Sequence, residues 1–484
     1  MLAPHRRPCD TPEAYKPSEE FAGATRWVLP ATILGSSVMY IDESVVNVAL
    51  PAIQRSLETS LATMQWVFNG YMLTLASLIL LGGAASDRFG RRRIFLFGLA
   101  GFAAASVACG LAPSAVWLIF ARLAQGAAAA LLMPASLAII GAAFKGEARG
   151  RAIGTWAAAG ALTIAISRPF GGWLVDAIGW RSIFFINLPL AAAALLLALK
   201  LPADRGTRSS TPLDLRGTVL AVLALALLSY GLIALGEGDH IAGSIAIAAA
   251  IPVTWLFVRT EARADSPMVP LALFRNIDFA GVNALTVLYY AALSGAFFLL
   301  PFVLIEVHGY SATAAGAAFL PLSVIMAVGS RWTGALVERT GARLPLVLGP
   351  LITAAGYALL GFSGSASSYW TGFLPGLVIV ALGLTLTVAP LTATVFDSSP
   401  KGESGTAAGI NSAVDVAGGL VAVAALGLAF GGTGAGGMQG NALVEAYQVV
   451  MFVAAVLAAL SALTVALTIG ARGKRGDAVA SVKS

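Results

Sequence analysis

Long apolar runs, separated by short charged or turn-forming gaps, dominate this chain. A helix that crosses a bilayer needs about 20 mostly apolar residues. Fourteen runs reach that length, at roughly 27–49, 64–84, 93–112, 114–142, 152–175, 181–201, 216–236, 241–259, 278–305, 312–335, 343–363, 370–394, 404–431 and 447–470. The pattern predicts an all-α polytopic membrane protein. The 53 glycines fall largely inside these runs. In water they would weaken helices, whereas in lipid small residues allow helices to approach closely.

Composition agrees. The 484 residues are 58% hydrophobic and only 11% charged, against about 25% charged in a soluble domain. Cys9 sits in a polar tail and Cys109 in an apolar run, so no disulfide is implied. The first 25 residues are polar and lack a short apolar core before a small-residue cleavage site. The first run is therefore read as a retained span.

The formal charge of +6 would suit nucleic acid, but its distribution points to a membrane surface. With the N-terminus in the cytoplasm, 26 of the 30 basic residues fall in cytoplasmic segments. Arg55 and Arg181 fall in outer loops, and Arg122 and Arg168 inside spans. This alternation supports fourteen spans with both termini cytoplasmic.

A short sentence occurs twice. Gly83-Ala84-Ala85-Ser86-Asp87-Arg88-Phe89-Gly90-Arg91-Arg92 lies between spans 2 and 3, and Gly334-Ala335-Leu336-Val337-Glu338-Arg339-Thr340-Gly341-Ala342-Arg343 between spans 10 and 11. An internal repeat in a membrane chain points to two homologous halves around a central site. Both copies follow the second span of a half only if spans 7 and 8 are an insertion. The expected organisation is a tail at 1–26, a six-helix bundle at 27–201, a linker and two-helix hairpin at 202–277, a second six-helix bundle at 278–470, and a tail at 471–484.

These residues resemble the major facilitator superfamily, whose hallmark cytoplasmic loop is similar to residues 83–92. Ile41-Asp42-Glu43-Ser44-Val45-Val46-Asn47-Val48-Ala49-Leu50-Pro51 resembles the span-1 motif of its fourteen-span drug:proton antiporters. Arg122-Leu123-Ala124-Gln125-Gly126 resembles the Arg-x-x-Gln-Gly of span 4, and residues 179–189 the usual entry to span 6. The resemblance implies two six-helix bundles plus a two-helix insertion, in a bacterial inner (plasma) membrane. One stretch departs. The span-5 motif Gly-Pro-x-x-Gly-Gly reads Ser167-Arg168-Pro169-Phe170-Gly171-Gly172 here, which weakens the carry-over of antiport and sets a charge inside a span.

Ionisable groups inside a membrane are costly and therefore candidates for function. Asp42 lies about 22 Å from the cytoplasmic face and Arg122 about 12 Å from the outer face at 1.5 Å per residue. Because burial favours a neutral carboxyl and a nearby cation favours the ionised form, Asp42 and Arg122 are proton-coupling candidates; the alternative is a static ion pair that locks the bundle. Asp415, near mid-membrane in span 13, is a further proton or cation site or a hydrogen-bonded structural group. Arg168 attracts an anionic substrate, pairs with Asp42, or snorkels. Asn47, Trp66, Tyr71, Arg168, Tyr289, Tyr290 and Asn411 are candidates for substrate contact, with packing and interface belts the alternative for the aromatics. Gly83, Asp87, Arg88, Gly90, Arg91 and Arg92, with Gly334, Glu338, Arg339 and Arg343, read as a cytoplasmic gate or as plain positive-inside anchors.

No metal-ligand cluster, phosphate-binding Gly-Lys-Ser/Thr loop, or nucleophile with a base is visible, so ATP-driven pumping and enzyme chemistry lack support and no cofactor is expected. The leading expectation is proton-coupled export of small lipophilic or cationic compounds by alternating access. Its partners are a small-molecule substrate, protons and the bilayer, with no nucleic acid and a monomer as one possible state. The alternatives are uptake or facilitated transport of an anionic metabolite without proton antiport, and a membrane scaffold or sensor.

Overall fold

The computed structural model describes residues 25–202, 213–364, 368–400, 403–430 and 440–470; side chains at 330–332, 334, 335 and 338 lie outside the described set. All fourteen apolar runs are helical. In the first half these are α1 (Thr25–Leu57), α2 (Leu61–Phe89), α3 (Arg91–Gly110), α4 (Ala115–Ala143), α5 (Gly146–Ala177) and a sixth crossing split into α6 (Ser182–Phe185) and α7 (Asn187–Ala198). A hairpin follows, of α8 (Leu215–Gly236) and α9 (His240–Glu261). The second half contains α10 (Ile277–Phe302), a crossing made of α11 (Ala312–Ala317) and α12 (Leu320–Thr340), then α13 (Arg343–Phe362), α14 (Leu374–Asp397), α15 (Ser404–Ala425) and α16 (Asn441–Thr468). Most helices overrun the predicted spans by several residues, as capped ends extend past the hydrocarbon.

Twelve of the described helical segments are by themselves long and apolar enough to cross a membrane. The other two crossings depend on their neighbours. α5 is long, but its Gly, Ser and Thr positions, Trp156, Pro169 and Arg168 lower its hydropathy; it packs on α1 and α11. The sixth crossing breaks ahead of Pro189, which lacks an N–H and sits comfortably only in the first turn of a new helix. The resulting α7 packs on α1 and α3.

Side-chain caps set several helix starts. Ser60 accepts from Thr63 N (3.2 Å), Ser114 from Trp117 N (3.3 Å) and Ser311 from Ala314 N (3.1 Å), each satisfying a backbone donor that the first turn leaves open. In the first bundle α2 and α3 pack on α4, and α1 packs on α5 and α7; in the second, α10 packs on α15 and α16, and α13 on α14 and α16. The α8–α9 hairpin lies over the seam where α2 meets α15. Its ends are tied down by acids: Asp214 accepts from Gly217 N (2.7 Å) and Glu261 from Val269 N (2.8 Å). Two six-helix bundles and an inserted helical hairpin thus make up the fold.

The side on which α1 begins is called the tail side below, and the opposite side the far side. The bundles are joined at the far side. Arg55 at the end of α1 pairs with Glu306 (3.4 Å). Gln65 of α2 donates to the carbonyl of Val423 on α15 (2.6 Å). At the α5–α11 crossing, a Cβ on Gly172 would lie 2.2 Å from the Ala312 carbonyl, and one on Gly316 2.3 Å from the Arg168 carbonyl. Only glycine permits this backbone approach. Asp176, at the end of α5, accepts from Ala312 N (3.0 Å) and Thr313 N (2.8 Å). A carboxylate of one bundle thus caps a helix of the other, where the N-terminal partial charge favours an anion.

The cap ties the two bundles together at the far side. Asp176→Ala is expected to shift the resting population toward a far-side-open form by about fivefold, the equivalent of a cap worth about 1 kcal/mol. Labelling of an introduced Asn47→Cys by an impermeant thiol reagent from the far side measures this, and unchanged labelling would show that the cap carries no conformational bias.

Candidate functional site: charges between two helix bundles

Asp42 lies inside the first bundle, only 1% exposed, and its carboxylate is fully engaged. Oδ2 accepts from Arg122 Nη1, while Oδ1 accepts from Gln125 Nε2 (2.8 Å) and Asn187 Nδ2 (3.0 Å). Ser106 accepts from the same two amides (2.8 and 3.2 Å). Arg122, completely buried, also donates through Nε to the carbonyl of Val67 (3.3 Å) and through Nη1 to Gln125 Oε1 (2.7 Å), and covers the Tyr71 ring at 4.3 Å. These contacts join α1, α2, α3, α4 and α7. The span-1 and span-4 motifs therefore meet in one closed ionic knot.

Consecutive helical residues differ by about 100° around the axis, so Glu43 leaves α1 in another direction. Its side chain is exposed, with no ion pair within 4 Å and no hydrogen bond among the described residues. Its electrostatic neighbours include Arg168 as well as Asp42 and Arg122. Asp415, half-buried on α15 of the other bundle, interacts electrostatically with Glu43. Tyr40 of α1 and Tyr290 of α10, both half-buried, feel the Asp415 charge. Two carboxyls from opposite bundles thus sense each other across the space between the bundles.

Arg168 does not pair with Asp42, whose acceptors are already taken by Arg122, Gln125 and Asn187. Its guanidinium lies over the ring of Phe319 (4.5 Å) and near that of Phe297 (5.6 Å), both from the second bundle. Its Nε is buried without a hydrogen-bond partner.

The other candidates divide. Trp66 packs against Tyr230 of the hairpin (6.4 Å between rings), Tyr71 is sealed under Arg122, and Tyr289 is buried with its hydroxyl 2.8 Å from Thr353 Oγ1 of α13. Those three aromatics face neighbouring helices, because the first bundle, the hairpin and the second bundle each claim one for packing. Asn411, one turn before Asp415, donates to Asn283 (3.1 Å) and Thr286 (2.8 Å) on α10. Asn47, one turn beyond Glu43, is buried with Oδ1 unpartnered.

The repeated loops share a local geometry. Gly90 and Gly341 both have positive φ (99° and 74°), where a side chain would strain the backbone. Gly90 N donates to Ser86 O and Gly341 N to Val337 O (3.1 and 2.8 Å). Arg92 then donates to Ala198 and Leu199 carbonyls at the end of α7 (3.1 and 2.8 Å), and Arg343 to Ala466 O near the end of α16 (2.8 Å). Each arginine ties the third helix of a bundle to its last. Arg92 and Arg343 are therefore placed as anchors within a bundle, where helix C-termini attract cations. A Cβ on Gly83 would meet Pro134 at an ordinary 3.7 Å. Asp87, Arg88 and Arg91 lie at the same helix junction, and each has an interaction partner. Arg339 is exposed, and Gly334 and Glu338 have side-chain positions outside the described residues.

Sequence reasoning missed Glu43 as a site residue. The signal was present: the rule that singled out Asp42, an acid deep in a span, applies equally to its neighbour.

Comparisons with known proteins agree with this architecture. The chain is 35% identical over 420 residues to the tetracenomycin C resistance and export protein of Streptomyces glaucescens, covering 86% of this chain and 78% of that protein. It is 37% identical over 407 residues to the multidrug resistance protein Stp of Mycobacterium tuberculosis (strain CDC 1551 / Oshkosh), covering 82% and 74%. Among solved structures, a bacterial homolog of the human lysosomal transporter Spinster, inward-facing and unoccupied, matches with TM-score 0.65 at 18% identity, over 92% of this chain and 97% of that one. A POT family transporter in complex with 5-aminolevulinic acid matches with TM-score 0.68 at 14% identity, over 92% and 95%. Those two likenesses concern the fold alone. The family model for the Major Facilitator Superfamily matches residues 32–423, and the chain belongs to that superfamily of membrane transporters.

Proposed function

We propose that the protein exports small lipophilic or cationic compounds in exchange for protons, as a fourteen-span drug:proton antiporter. It lies in the bacterial inner membrane with both termini in the cytoplasm, so that the tail side is cytoplasmic. The observation that carries the reading is the pair of intramembrane carboxyls, Glu43 and Asp415, on opposite bundles, neither with an ion-pair or hydrogen-bond partner among the described residues. Acids held at that depth are expensive, and groups that load and release protons must remain free to change partners. The names of the relatives, which concern resistance and export of antibiotics, support efflux. In this reading Glu43 and Asp415 carry the protons, while Asp42 and Arg122 hold the helices that present them. The bundles at 27–201 and 278–470 rock about the shared space, releasing Arg55–Glu306 and the Asp176 cap to open outward.

Proteoliposomes with a trapped pH dye test this. Addition of tetraphenylphosphonium, a lipophilic cation, should drive proton movement out of step with its own transport direction, and a hypersensitive strain expressing the chain should gain resistance. Tetraphenylphosphonium flux with no accompanying proton movement would overturn the antiport reading in favour of facilitated transport.

A further inference from the structure

Opposite charges in a low-dielectric site attract strongly and close on one another unless something holds them apart. Glu43 and Arg168 feel each other, yet no ion pair within 4 Å joins them among the described residues. What holds them apart is visible. The Arg168 guanidinium rests on Phe319 and Phe297 of the other bundle, rings that pack edge to face 5.3 Å apart. Its backbone is fixed by the close approach to Gly316. Glu43 and Asp415 interact electrostatically across the interface between the bundles, and Tyr40 and Tyr290 feel the Asp415 charge. The space between the bundles therefore has two poles, a guanidinium on an aromatic shelf and two carboxyls outside ion-pair distance of it.

We propose that this space selects amphoteric aromatic compounds, which place an acidic group on Arg168 and an ammonium between Glu43 and Asp415. A simple cation would neutralise Glu43 and leave the half-buried guanidinium without a nearby anion. A simple anion would satisfy Arg168 and face two carboxyls. A guest bearing both charges leaves neither pole unmatched, and charge complementarity of this kind favours it over a guest that matches one pole. The aromatic shelf adds stacking for a ring that carries the acid. This selectivity rests on the transport reading above and refines its substrate class.

The test uses the full chain in lipid nanodiscs with two probes: norfloxacin, which carries an ammonium and a carboxylate, and its ethyl ester, which keeps only the ammonium. Wild-type protein should bind norfloxacin about tenfold more tightly than the ester, the effect of one charge-assisted contact. Arg168→Gln should erase that preference while ester affinity stays within about twofold, and Arg168→Lys should retain part of it. Equal affinities in the wild type, no norfloxacin binding, or a preference that survives Arg168→Gln would each overturn the proposal. The wild-type comparison requires no variant to fold. Norfloxacin binding or transport with no accompanying proton release would instead count against the antiport reading, whatever the affinity preference shows.

Discussion

Asp42→Ala is expected to destabilise the protein by about 3–5 kcal/mol, because it strands a fully buried guanidinium. Arg122 would keep its bond to Val67 O and its place over Tyr71, but lose the carboxylate that its Nη1 meets. Asn187 and Gln125 would each lose an acceptor inside the bundle. The double variant Asp42→Asn/Arg122→Gln removes both charges together and should recover more than half of the loss, since breaking one side of a buried pair costs far more than replacing the pair. Thermal unfolding of detergent-purified protein, read alongside membrane yield, checks both. If Asp42→Ala unfolds like the wild type while losing transport, Asp42 is a working proton carrier and not a tie between helices.

That expectation follows the second of the two readings the sequence leaves open for Asp42, a static ion pair, over the first, a proton-coupling group. The difference shows where reading the chain reaches its limit. Span positions, the inserted hairpin and the 83–92 and 334–343 repeat follow from apolar run lengths and from offsets, which act along the chain. The matched geometry of Gly90 with Gly341 and of Arg92 with Arg343 extends the same repeat into three dimensions. Depth was legible too: Asp42, Glu43, Arg168 and Asp415 all count as deep from residue number alone. Azimuth was not. Whether an acid turns into its own bundle or toward the facing one depends on how α1 is rotated against α4, α5 and α7, and one residue along a helix is enough to change the answer. Trp66, Tyr71 and Tyr289 were uncertain for the same reason, since a ring at the right depth serves packing or a substrate according to its direction.

The second large effect follows from that rotation. Glu43→Gln is expected to lower uphill, proton-driven export by at least about tenfold, the factor represented by one pK unit of coupling. The substitution keeps size and polarity but removes the exchangeable charge from the space that Arg168 and Asp415 share. Asp42, Arg122 and the far-side contacts are untouched, so the fold and the alternation of the bundles should persist. Downhill equilibration of a neutral substrate across liposomes should therefore survive, while accumulation against a gradient and its dependence on external pH are lost. Asp415→Asn provides the comparison. If the two carboxyls act together, it should reproduce the flattened pH response, and the double variant should be no worse than either single one. Full proton-driven accumulation in Glu43→Gln would remove Glu43 from the coupling step and leave Asp415, the remaining contact-free acid of the inter-bundle space, as the carrier.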